Sequence, residues 1–320
     1  MSIIKKSSIT PDTDLTVNYS SVKQVSVKKV APKRKDRNQK WALAFVVVNM
    51  VLFTLFFAWP AILGIYYSFT DYAGVEAHFI GLQNYINLFH DSSFYKALGR
   101  TFTYTIIGVP TLYVSSLCIS LLLVSKYTKG KSVAKVIFFL PWLISPIVVG
   151  VIFRWMFGED FGFINYIIQL MGFEPVHWST DGNLALLTVL IASAWGGTAF
   201  NMLIFISALL NISKSYYEAA EIDGANGWQK FFHITLPSLR PTSFMVIMLS
   251  SIGFMKEFAL VQSLTNGGPG NDNTFIVQYI YQTGFNNQNI GYASAVSMIL
   301  FIILLIFAVI NLKVEERGKQ

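Results

Sequence analysis

Residues 215–237 read SYYEAAEIDGANGWQKFFHITLP, a polar, helix-forming island between two long apolar runs. Ser215 followed three residues later by Glu218 has the pattern of a capping box, which predicts a helix starting there and running through Ala219, Ala220 and Ile222. Gly224 ends it, because glycine accepts the left-handed conformation that helix termini favour. Asn226 with Gln229 predicts a second start directly afterwards. Trp228, Phe231 and Phe232 then fall at i, i+3, i+4 on one face, the face expected to tie the second helix back to its own protein. The first helix is left to offer Glu218, Ala219, Ala220, Glu221 and Asp223 to something outside. An amphipathic connector lying on a membrane surface is the plainer alternative.

The surroundings of this island are membrane-like. Of the 320 residues 53% are hydrophobic and only 13% are charged, where about a quarter is usual for a soluble domain. Mean hydropathy is +0.51. A formal charge of +7 suggests nucleic acid at first sight, but the basic residues cluster beside apolar runs, as a topology signal requires, so no nucleic-acid partner is expected. The single cysteine, Cys118, lies inside an apolar run and reads as a small buried side chain; no disulfide framework or thiolate metal site is available.

Six apolar runs, at about 41–66, 101–124, 136–157, 184–210, 243–264 and 292–312, each approach the ~20 residues needed to cross a bilayer. Helices are the expected spanning form, since backbone groups in lipid must be satisfied within the segment, and the fold class is all-α with six transmembrane helices. Lys126, Lys129, Lys131 and Lys135, then Lys214, Lys230 and Arg240, then Lys313, Arg317 and Lys319 occupy alternate connections, while the others hold mainly Asp and Glu. The positive-inside bias puts both termini and the 213–240 loop in the cytoplasm. Residues 1–40 end in a basic run and read as a mostly disordered cytoplasmic tail meeting anionic lipid, with 41–320 as the membrane domain. Pro110, Pro141 and Pro146 are expected to kink the second and third runs within a packed bundle, and Gly291, Ala293, Ser294 and Ala295 give the last run a small-residue face.

The spacing Glu218-Ala219-Ala220, three residues, Gly224, nine residues, Ile234, one residue, Leu236-Pro237 resembles the EAA loop of permease subunits of binding-protein-dependent ABC importers. Phe79-Ile80-Gly81-Leu82 with Asn84-Tyr85, and Thr265-Asn266-Gly267-Gly268-Pro269, are similar to stretches of maltose-type sugar permeases, so the resemblance covers most of residues 41–315. It implies the type I importer permease fold, and a cytoplasmic loop in which Glu218, Ala219, Ala220, Asp223, Gly224, Ile234, Leu236 and Pro237 couple to an ATPase. The implied partners are a second homologous permease, two ATPase subunits carrying ATP and Mg, and an external sugar-binding protein. No cofactor is implied for this chain itself.

The residues hold little chemistry of their own. Gly130-Lys131-Ser132 lacks the upstream glycine of a phosphate loop, position 125 being Ser125, and the four histidines have no metal-ligand spacing. No nucleophile motif is present, so the chain is expected to be a non-catalytic subunit. Lys256-Glu257 inside the fifth run is the exception, because a charge at the bilayer centre costs roughly 2.5–3.5 kcal/mol and usually faces water or a bundle interior. By helical spacing Ser250, Phe254, Glu257 and Val261 fall on one face, which combines a hydroxyl, a ring and a carboxylate, a mixture suited to sugars. The resemblance places the substrate path along this run and along Gly197, Phe200 and Asn201 beside Trp195-Gly196. An ion-coupled secondary transporter is the rival reading; it is disfavoured by the lack of Asp or Glu in the first three runs and of an internal repeat.

Overall fold

A computed structural model describes residues 39–317 of the chain; the basic run within 1–38 and Lys319 lie outside the described residues. The described residues divide into two units, 39–56 and 57–317. In the first, helix α1 (Gln39–Phe53) carries large apolar side chains that are exposed all along it, from Trp41 to Phe53. A π-helical turn, Thr54–Ala58, begins at its end.

The second unit is a helical bundle. In chain order it contains α2 (Trp59–Tyr67), α3 (Gln83–His90), α4 (Ser92–Val124), α5 (Lys131–Phe139), α6 (Pro146–Met156), α7 (Phe163–Leu170) and α8 (Gly182–Leu210). Then follow α9 (Lys214–Ile222), α10 (Gly227–Lys230), α11 (Leu236–Ser238), α12 (Arg240–Met255), α13 (Ala259–Leu264), α14 (Ile276–Tyr281) and α15 (Ile290–Arg317). Among the described residues no strand forms; Thr70 and Phe79 make an isolated bridge.

Among the described residues, four helical segments, Leu43–Tyr67, Ser92–Val124, Gly182–Leu210 and Ile290–Glu315, are long and apolar enough to cross a membrane. The other two runs are broken. The third bends by 98° between Leu143 and Pro146, well beyond the expected kink. Ile144 and Ser145 are extended, with ψ of 132° and 138°; Ser145 directly precedes Pro146, and a residue before proline is driven out of the helical region. Pro110, by contrast, stays inside the uninterrupted helix α4. The fifth run is preceded by a 65° bend, between Ser238 and Arg240, and helix α12 stops at Met255.

Helices α4 and α8 run side by side in the same direction and form the spine. Their contacts advance together: Tyr104 with Ser193 (2.5 Å), Ser115 with Thr198 (2.8 Å), and the Ser120 hydroxyl donating to the Met202 carbonyl (3.0 Å). Small hydroxyl residues let the backbones approach, and their protons find carbonyls within the bundle. Helix α12 runs the opposite way, with Tyr113 bonded to Ser243 (2.9 Å) near its start and Phe254 on Tyr104 (4.6 Å between ring centres) near its end.

The connections therefore gather at two ends. Arg100 joins three segments at one of them, donating to the Gly182 carbonyl, to Asn183 (3.2 Å) and to Asn273 (2.8 Å). Segments 68–91, 157–181 and 265–289 lie at this end with Asp71, Glu76, Asp91, Glu159, Asp160, Glu174, Asp181 and Asp272; segments 125–130 and 211–239 lie at the other with Lys126, Lys129, Lys214 and Lys230.

The 157–181 segment is knotted by side chains. Asn165 bonds both the N–H and the carbonyl of Val176 and accepts from the Trp178 indole (2.9 Å). Glu159 accepts from the hydroxyl and amide of Ser179 (2.6 and 2.8 Å) and from the Thr180 amide (2.9 Å), with His177 at 3.4 Å. The Ser179 hydroxyl contributes most to holding this carboxyl down from 4.5 to about 2, against an opposing effect of burial. A depressed folded-state value means that the stabilisation is complete above about pH 4.5 and is lost as pH falls toward about 2. Glu159→Gln is expected to flatten the acid limb of the unfolding midpoint between those values in detergent; superimposable limbs for variant and wild type would refute this.

Candidate functional site

The polar island folds into two short helices meeting at Gly224. The expected capping box at Ser215 does not form: α9 begins at Lys214, and the Ser215 hydroxyl pairs with that of Ser213 (2.7 Å), leaving nothing for the N-terminal amides. The end is as expected. Gly224 has φ of 76°, its N–H donates to the Glu221 carbonyl and the Ala225 N–H to the Ala220 carbonyl, the paired bonds of a Schellman motif. Asn226 and Gln229 make both bonds of a capping box at the start of α10. Two contacts not evident from spacing close the corner: the Lys230 ammonium on Glu221 (2.9 Å) and the Tyr217 hydroxyl on Thr235 (2.8 Å).

The aromatic face is split, which corrects the expectation that it ties α10 inward. Phe231 packs against the Leu239, Val246 and Phe205 cluster, but Trp228 is 73% exposed and stacks on Phe232 at the surface. A π-helical turn, Phe231–Thr235, follows α10 and adds a residue before α11. Glu218, Ala219, Glu221, Asp223 and Pro237 are exposed, and Ala220, Ile234 and Leu236 are half-buried. With Ile222 at 87% exposure, the corner presents apolar and acidic groups together on a face that its own chain leaves open.

In the fifth run the predicted face is corrected. Helix α12 ends at Met255, and α13 restarts at Ala259 after Phe258 at φ −137°, so Ser250, Phe254, Glu257 and Val261 do not share one helix. Phe254 is buried between Tyr104 and Gly108, where a Cβ on Gly108 would lie 1.9 Å from its ring. Asn201 and Ser250 are buried and bonded to each other (3.1 Å). Gly197 faces Leu112 so closely that a Cβ there would lie 2.9 Å from a Leu112 methyl. Phe200 is open, stacked on Trp142 (4.9 Å), a partner that spacing alone did not indicate. Cys118, expected buried, is exposed on α4.

Lys256 and Glu257 have a local physical account. Lys256 is exposed at the C-terminal end of α12, where the carbonyls favour a cation. Glu257 turns back and accepts from the amides of Phe258 (3.1 Å) and Leu260 (3.0 Å) at the start of α13. Each charge complements a helix end exposed by the break. Glu257→Gln keeps an accepting oxygen but loses the charge and is expected to lower the unfolding midpoint less than Glu257→Ala, which should cost about 1 kcal/mol. Equal loss in both variants would rule out the capping role.

Residues 85–315 match the family described as binding-protein-dependent transport system inner membrane component. The chain belongs to that family. As a member it is a multi-pass inner-membrane permease subunit. The permease is 36% identical over 280 residues to the arabinooligosaccharides transport system permease protein AraP of Bacillus subtilis, covering 86% of this chain and 88% of that one. It is 32% identical over 286 residues to the multiple sugar-binding transport system permease protein MsmF of Streptococcus mutans, covering 89% and 98%. Its fold matches a chain of a bacterial ABC transporter involved in the import of the acidic polysaccharide alginate, with a TM-score of 0.77, 22% identity, and 88% and 98% of the two chains covered.

Proposed function

We propose that the permease is one transmembrane subunit of an ATP-driven importer of carbohydrate, crossing the membrane six times with both termini in the cytoplasm. The observation that carries this reading is the exposed helix corner at Gly224, at the end of the bundle that carries the loop lysines. Counting each bent pair as one crossing brings the spans to six. An acidic and apolar surface there suits an ATPase cleft, and movement of that partner reaches α8 and α12 directly because the corner is continuous with both. Two ATPase subunits holding ATP and Mg, a second homologous permease and an external sugar-binding protein complete the assembly. The sugar permeases to which the chain is similar support carbohydrate as the cargo class. Phe200, stacked on Trp142, and the charged break at Lys256 and Glu257 are the groups offered to the path, with Gly197, Asn201, Ser250 and Phe254 packing behind them.

The test is uptake by proteoliposomes. Accumulation of an oligosaccharide is expected to require ATP, the ATPase subunits and the binding protein together. Accumulation driven by an ion gradient with no ATPase present would favour the secondary-transporter reading and overturn this one.

A further inference from the structure

At the end of the bundle opposite the Gly224 corner lies a cavity of about 670 Å³. It is walled by the starts of α4 and α15, the residues ahead of α14, and the 282–289 segment; none of the residues assigned to the path lines it. Its back is rigid. Asp91 accepts from the Ser93 amide (2.8 Å) and from the hydroxyls of Tyr279 and Tyr292, the latter at 2.9 Å. Burial pushes the Asp91 carboxyl up, but these bonds outweigh it and keep the group below its ordinary range. The carboxylate is thus spent on pinning two tyrosines.

The front is a set of unspent amides. Asn271, Gln282 and Asn287 line the cavity with no side-chain hydrogen bond to any described residue, and Asn87 has only its oxygen engaged, by Gln83 (2.8 Å). Each primary amide offers two donors and an acceptor in one plane, which matches hydroxyl groups that both donate and accept. Lys96 is the one cation among the lining residues, too little for a phosphate site, and the lining lacks the apolar floor that a peptide or acyl chain would need. The volume falls within the roughly 300–1,000 Å³ of small-molecule sites.

We propose that this cavity is a second saccharide site, at the mouth of the bundle and outside the translocation path, that holds the end of a neutral oligosaccharide. The inference rests on the carbohydrate reading for its ligand class and on the cavity for its position. It is tested on the assembled transporter in detergent, without the external binding protein, using arabinotriose, maltotriose and raffinose in saturation-transfer NMR and calorimetry. Saturable binding of at least one trisaccharide is expected, weakened tenfold or more by the combined Asn271→Ala, Gln282→Ala and Asn287→Ala substitutions. The unfolding midpoint of that variant checks its fold, and Gln282→Ala alone serves as the milder variant.

Binding that the substitutions leave intact overturns the proposal. Loss of binding-protein-stimulated ATP hydrolysis without any saccharide binding also overturns it, and gives the cavity to protein docking. Wild-type uptake with the binding protein is measured alongside. Uptake without binding at the cavity sinks this inference alone; absence of both uptake and binding sinks the carbohydrate reading with it.

Discussion

Gly224→Pro should reduce ATP-coupled uptake to background while the chain still inserts in the membrane. Gly224 sits at φ of 76°, and proline is locked near −65°, so the corner cannot be made with proline there. Proline also lacks the N–H that donates to Glu221 (3.1 Å), and the Ala225 bond to Ala220 (2.8 Å) depends on the same turn. With the turn gone, Lys230 no longer meets Glu221, and α9 loses its fixed angle to α10. The spans on either side, α8 and α12, keep their own contacts, which is why insertion should survive. Gly224→Ala provides a graded control, since an alanine in the left-handed region costs about 1 kcal/mol. The measurement is uptake in proteoliposomes together with co-purification of the ATPase. Retained uptake with the ATPase still bound would show that the corner does not transmit its movement.

Gly291→Ala is expected to lower the unfolding midpoint sharply. A Cβ at Gly291 would lie 2.1 Å from the Thr70 carbonyl oxygen and 3.1 Å from the Tyr72 amide nitrogen. Both obstacles are backbone, and the Gly291 N–H itself donates to the Tyr72 carbonyl (2.9 Å), so neither strand of chain can turn aside without breaking the contact. Overpacking of this kind costs roughly 1–3 kcal/mol where side chains can adjust, and the figure here should lie at or above the upper end. The comparator is Gly99→Ala, within α4, where an added methyl meets nothing within 4 Å and helix propensity favours the change. Thermal unfolding of the two variants in detergent should move in opposite directions; equal midpoints would mean that the start of α15 is not seated on the 70–72 segment.

How far the chain could be read in advance differed by the range of the interactions involved. Gly224, Asn226 and Gln229 act within a few residues of themselves, so the second cap and the stop could be read from spacing. The Ser215 box failed because one competing hydroxyl, Ser213, was enough to divert it. The small-residue start of the last span was legible as a close contact, but its partner, the Thr70 carbonyl, was not. The break at 256–258 was invisible to hydropathy, because Phe258 to Leu264 is apolar whether or not it continues the helix. Once the helix breaks, the arithmetic that put Glu257 beside Phe254 no longer holds, and the carboxylate takes the nearest free amides instead.

The sequence by itself determined that the chain is a bundle of membrane-crossing helices with an ordered, glycine-hinged connector on its basic side. These properties come from composition, charge placement and local hydrogen bonding, and none needs a distant partner. Only the tertiary structure decided which faces of those helices are open. Phe254 is buried because Tyr104 and Gly108, about 150 residues earlier, are shaped to receive it. The amide-lined cavity exists because Asp91 reaches Tyr279 and Tyr292, near the far end of the chain. Burial belongs to pairs of surfaces, and one element's residue pattern does not specify the surface it will meet.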